Sequence, residues 1–121
     1  MPALKDQLQS DLTTAIKGRD ELSAATIRMV LTAITNEEVA GKEVRVLSDD
    51  DVLTVLGREA KKRREAAEAY DAAARPELAG RERDELAVIQ RYLPHQLDEA
   101  DLDALIAAAV DEVAEIGRAH V

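Results

Sequence analysis

The sequence predicts an all-α protein, on three observations. Its alphabet is dominated by Ala, Leu, Glu, Asp and Arg, most of them good helix formers. Apolar residues recur every three or four positions through most of its length. Material for a sheet is scarce, with no Phe or Trp, two Tyr and a single short alternating run. A chain of 121 residues suits one domain, or one domain with a small appendage, and is too short for a large enzyme.

The elements follow in order. Leu4, Leu8, Leu12 and Ile16 draw one slowly drifting apolar stripe, so the first helix is expected to end near Gly18. Asp20 is placed to cap a second helix, which carries Leu22, Ile27, Val30, Leu31 and Ile34 and fades between Val39 and Gly41. The stretch "GKEVRVLS" alternates, but one such run has no partner strand and reads as a loop. Ser48 and Asp51 then form a capping-box pattern, with Asp49 and Asp50 adding negative charge to a helix start. The long third helix carries Val52, Leu53, Leu56, Ala60, Ala67, Tyr70 and Ala74. Gly57 inside it costs about 1 kcal/mol relative to Ala, and close helix packing is the expected reason for it.

Pro76 suits the first turn of a fourth helix with Leu78, Leu86, Ile89 and Leu93, which must stop before Pro94. A last helix is expected from Asp98, with Leu102, Leu105, Ile106, Val110, Val113 and Ile116, ending at Gly117. Residues 98–117 hold seven acids and no base. That shift and the Pro94 break divide the chain into an N-terminal helical subdomain, 1–94, and the start of a C-terminal one, 95–121. The uncovered apolar face of the last helix predicts a further C-terminal portion.

The absence of cysteine excludes disulfide scaffolds, thiolate metal sites and cysteine nucleophiles. Lys5, Asp6 and Asp11 fall where a signal peptide needs an apolar core, and no run approaches the length of a membrane span. A cytosolic location, with no membrane partner, is the default expectation. Catalytic chemistry is poorly supplied. His95 and His120 stand far apart, and Ser10, Ser23 and Ser48 have helix or capping positions rather than a nucleophile elbow. Asp49, Asp50 and Asp51 lack the spacing of a cation loop, and the glycines make no phosphate-binding pattern. No catalytic residue, metal or cofactor is expected.

One feature stands against an acidic background. Residues 1–57 carry six bases and ten acids, and 65–121 carry five bases and fourteen acids, whereas 58–64 carry five bases and one acid within a net charge of −9. At about 100° per residue, Arg58, Lys61 and Lys62 share a face, with Arg64 displaced from it. Arg63 falls near the apolar stripe and must snorkel out, pair with an acid, or reach a partner. Two readings compete. Glu59 with Arg63, Lys61 with Glu65 and Arg64 with Glu68 have i,i+4 spacing, and would knit the run to its own helix for about 0.2–0.5 kcal/mol each. Alternatively, the run contacts phosphate or a partner protein. Without Phe or Trp to stack on bases, RNA would be held by backbone and shape.

"TIRMVLTAITNEEV" (26–39), "LSDDDVLTVLGREAKKRREAAEAYDAAARPELA" (47–79) and "RYLPHQLDEADL" (91–102) together resemble the GatB/YqeY family, small proteins similar to the tail of the B subunit of the tRNA-dependent amidotransferase. The resemblance implies two helical subdomains and a tRNA-binding or tRNA-associated helper without catalytic residues. The phrase "carbon–nitrogen ligase with glutamine as amido-N-donor", attached to such families, then reflects kinship. The resemblance implies tRNA or tRNA-handling proteins as partners, and on the reading of the basic run Arg58, Lys61, Lys62, Arg63 and Arg64 are expected to supply phosphate contacts, with Arg28 an additional one. The alternative is a protein-interaction adaptor that binds no RNA. Ala74 and His95 depart from the family pattern, which has Gly and Lys more often at these places, and the family usually continues with a Gly-, Met- and Lys-rich segment after the point where this chain stops.

Overall fold

The computed structural model describes residues 3–94, and within them the expected helices form: α1 (Ala3–Lys17), α2 (Glu21–Glu38), α3 (Asp49–Ala72) and α4 (Pro76–Gln90). No strand occurs among the described residues. The expected helix from Asp98, His95, His120 and the second subdomain lie outside them. Two helical hairpins, α1–α2 and α3–α4, pack together, with α2 touching all three other helices. Leu8, Ile27, Val30, Ile34, Val52, Leu56 and Ile89 fill the centre, and Leu47 from the connecting loop is buried with them. Gly57 is buried on the inner face of α3 beside Leu56 and Ala60. Periodicity overreaches at Ile16, the last member of the α1 stripe, which is 50% exposed, and at Leu22, the first of the α2 set, which is 37% exposed.

The helix starts obey local chemistry. The Asp20 carboxylate accepts from the Ser23 N–H at 3.1 Å and from its hydroxyl at 2.7 Å, which holds its pKa below the usual carboxylate value. Ser48 and Asp51 close a reciprocal capping box. Pro76 opens α4, where its missing N–H leaves no bond unmade.

Two helix ends use a left-handed residue without having a glycine there. The backbone of Arg19 and of Ala74 lies at φ 57°. At the first, the Asp20 N–H reaches the Ala15 carbonyl at 2.9 Å and the Arg19 N–H reaches Ile16; at the second, the Arg75 N–H reaches Tyr70 at 2.8 Å and the Ala74 N–H reaches Asp71. Both are Schellman closures. α1 ends beside Gly18 as expected, and the strained left-handed position falls one residue later, on Arg19. An L-residue in this region is disfavoured by roughly 1–2 kcal/mol, part of which a glycine returns as extra freedom of the unfolded chain. Ala74→Gly is therefore expected to stabilise the protein by about 0.5–1 kcal/mol, read as a raised urea midpoint at unchanged slope.

Candidate nucleic-acid interface

The basic run occupies the middle of α3, and the structure divides it by depth. Arg63 points inward. Its side chain is 14% exposed, and its guanidinium meets Glu59 at 3.4 Å, Glu85 at 3.1 Å and Glu82 at 3.7 Å, with the Met29 sulfur at 3.4 Å. Glu59 is the i,i+4 acid visible in the sequence, whereas Glu82 and Glu85 come from α4. Of the alternatives open to Arg63, pairing with acids is the one realised, and its cation serves as a clasp between two helices. Three carboxylates thus surround the charge that the sequence reading offers to phosphate.

The remaining cations lie further out. Arg58 approaches Glu37 of α2 at 3.8 Å, Lys61 approaches Glu65 at 4.0 Å, and Lys62 meets Glu59 at 3.1 Å while remaining 68% exposed. Glu59 thus serves both Lys62 and Arg63. Surface pairs of this length contribute little, about 0–1 kcal/mol. Arg58 and Lys62 flank a shallow furrow between α2 and α3, of about 190 Å³, whose other wall holds Ala33, Asn36 and Glu37. Arg64 is partly buried and engaged within the fold. Arg28 is exposed on α2, two turns or about 12 Å of helix rise from Asn36, and does not line that furrow.

Burial and the neighbouring Glu85 charge raise the pKa of Glu82, with Arg63 opposing them. A carboxyl that holds its proton more tightly folded than unfolded supports the fold below its ordinary pKa, and that support is lost as pH rises through the raised value. Glu82→Gln should consequently raise the urea midpoint at pH 7, with the advantage over the parent protein shrinking as the pH is lowered toward 4.

A second polar group gathers where α4 ends. The Tyr92 hydroxyl donates to Asp11 at 2.6 Å, and Arg91 donates to the Ser23 hydroxyl at 3.3 Å, which itself donates to Asp20. Burial first, then the bond to Asp11 and its charge, push the Tyr92 pKa above the usual phenol range. These contacts tie the "RYLP" stretch to α1 and α2. They use the Ser23 hydroxyl as a relay between a cation and an anion. Among the described residues there is no group of three or more His, Cys, Asp or Glu side chains placed to hold a metal ion.

The fold and this surface define a small helical module with a charged helix edge. The chain belongs to the YqeY family: the family model described as "Yqey-like protein" matches residues 5–121. It is 33% identical over 95 residues to an uncharacterized protein of Schizosaccharomyces pombe, covering 78% of this chain and 75% of that one. It is also similar to two proteins called "Altered inheritance of mitochondria protein 41, mitochondrial". The one from Vanderwaltozyma polyspora is 35% identical over 89 residues, and the one from Candida glabrata 27% over 86 residues. In each case 71% of this chain is covered, but only 46% and 47% of the relative. No helix among the described residues is long and apolar enough to cross a membrane.

Proposed function

We propose that the protein is a non-catalytic, tRNA-associated helper that holds the sugar–phosphate backbone against the outer edge of α3. The observation that carries this reading is that Arg58, Lys61 and Lys62 share one helix face. The acid partners shown for Arg58 and Lys62 are long or shared, and phosphate can replace them at small cost. Membership of a family related to the tail of the tRNA-dependent amidotransferase supports it. So does the residue chemistry, since among the described residues no nucleophile–base pair accompanies the cations. In this reading Arg63 holds the platform in place, and Arg64 and Arg28 stay outside the docking edge. A cytosolic setting belongs to the same reading.

A net charge of −9 repels nucleic acid at long range, so the contact must be local and salt-sensitive. With three phosphate contacts, affinity for tRNA should fall roughly 20- to 40-fold between 50 and 200 mM salt, measured by anisotropy of labelled tRNA. Binding that ignores salt, or none at 50 mM, would reject the proposal. A second reading, an adaptor for a partner protein, is favoured by Val44 and Val46 in the loop between α2 and α3, 78% and 72% exposed. Such binding would bury apolar surface, respond weakly to salt, and be lost in a Val44→Ser, Val46→Ser variant.

A further inference from the structure

Arg58 and Lys62 stand one turn apart on α3, about 6 Å of helix rise, and both line the furrow of about 190 Å³ between α2 and α3. Successive phosphates of an RNA strand lie at a similar separation, with one ribose between them. The charges lining the furrow balance. Arg58 and Lys62 are set against Glu37 and Glu59, and both carboxylates are engaged, Glu37 by Arg45 and Arg58, Glu59 by Lys62 and Arg63. A balanced hollow does not draw an anion into itself; it suits a neutral polar group. Its volume is below the roughly 300–1,000 Å³ of pockets that enclose drug-sized ligands, which limits the occupant to a part of a nucleotide. Ala33 and the buried Val55 supply apolar lining for C–H groups. Asn36, exposed near the end of α2, is the one uncharged polar side chain in that lining, and its amide makes no hydrogen bond among the described residues.

We propose that Asn36 reads the ribose 2′-hydroxyl of a bound strand and so makes the α3 edge selective for RNA over DNA. The inference rests on the RNA reading above and adds to it a residue, the chemical group it recognises and a class of ligand it rejects. A ribose hydroxyl both donates and accepts a hydrogen bond, and a side-chain amide offers both complements. The 2′-hydroxyl is also the group by which a protein tells RNA from DNA at a given site. The phosphates on either side of the sugar stay at the mouth of the furrow, on Arg58 and on Lys62, which is 68% exposed. The sugar enters between them. Glu37 and Glu59 then gain a second use: a phosphate pushed inward would meet their charges, which sets the register with sugar inward and phosphates outward. With no Phe or Trp to stack on bases, the sugar is the part of RNA that this surface is equipped to read.

The test compares labelled tRNA with an all-DNA copy of the same sequence, by anisotropy at about 50 mM salt, for the parent protein and for Asn36→Ala. The two polymers carry the same phosphates, so the cations alone do not separate them. The parent protein is expected to bind tRNA about threefold or more tighter than the DNA copy. Asn36→Ala should weaken tRNA binding by roughly two- to tenfold, the worth of one neutral hydrogen bond, while leaving the DNA copy within about twofold. Its salt slope should match the parent's, because no charge is removed. Asn36 is exposed and Ala is the better helix former, so the variant should keep the parent's urea midpoint or exceed it. Equal losses on tRNA and on the DNA copy, a parent protein that does not distinguish the two, or an Asn36→Ala variant that loses nothing on tRNA would each overturn the proposal. Any of these with salt-sensitive tRNA binding intact leaves the RNA reading standing, whereas a parent protein that binds neither polymer overturns both.

Discussion

Arg63→Ala is expected to lower stability by about 3 kcal/mol, the low end of the range for breaking a buried pair, because one edge of the guanidinium remains within reach of water. The loss has a defined origin. Glu59 and Glu85, whose side chains are mostly buried, and Glu82 beside them would face one another with their shared cation gone. In a body of this size such a loss moves the melting midpoint by roughly 12–24 °C. Two companions separate charge from packing. Arg63→Met keeps most of the volume and should lose nearly as much, whereas joining it to Glu59→Leu and Glu85→Leu should recover most of the loss, since a fully apolar replacement strands no charge. The Arg63→Ala deficit should also shrink as the pH falls and the stranded carboxyls take up protons. A deficit below about 0.5 kcal/mol in urea titrations at pH 7 would mean that the clasp contributes no more than a surface pair.

The second large effect concerns binding. Lys61→Glu with Lys62→Glu reverses two of the three outer cations, and affinity for tRNA at about 150 mM salt should drop by roughly 25-fold or more, about fivefold for each lost contact before repulsion is added. The dependence of log affinity on log salt should flatten by about two contacts. Folding should be nearly unaffected. Lys62 is largely exposed and Lys61 partly so, although reversal of Lys62 sets like charges beside Glu59 and is expected to take back a few tenths of a kcal/mol. The two substitutions thus separate the roles: position 63 governs stability, and positions 61 and 62 govern binding. An effect of the double reversal on melting comparable to that of Arg63→Ala would erase the distinction.

How legible this was in the sequence depends on the range of each interaction. Helix starts were written within four residues: Asp20 with Ser23, Ser48 with Asp51, and Pro76 at the first turn of α4. The α1 stop near Gly18 was legible too, but not its left-handed residue, because a Schellman closure needs a left-handed backbone and not a glycine, and that position falls on Arg19. Angular position placed Arg63 against the apolar stripe, and Glu59 stood at the right spacing. Glu82 and Glu85 could not be foreseen, since their meeting with Arg63 depends on how α4 folds back on α3. The same holds for Tyr92 and Asp11, 81 residues apart, and for Arg91 and Ser23, 68 apart. Ser23 reads in sequence as a serine within a helix, and only the returning chain turns it into a relay. In the basic run, local pattern gave the face of each cation, and tertiary packing decided which of them the fold keeps for itself.

The central claim is that the outer cations of α3 exchange their carboxylate partners for phosphate while the inner one does not. Side-chain NMR of the lysine Nζ and arginine Nε groups during titration with tRNA tests it most directly. The account predicts that signals of Arg58, Lys61 and Lys62 move in proportion to bound RNA, while that of Arg63 stays where Glu59 and Glu85 hold it. Movement of Arg63 with the outer three silent, or no movement at all at concentrations where tRNA is bound, would contradict it.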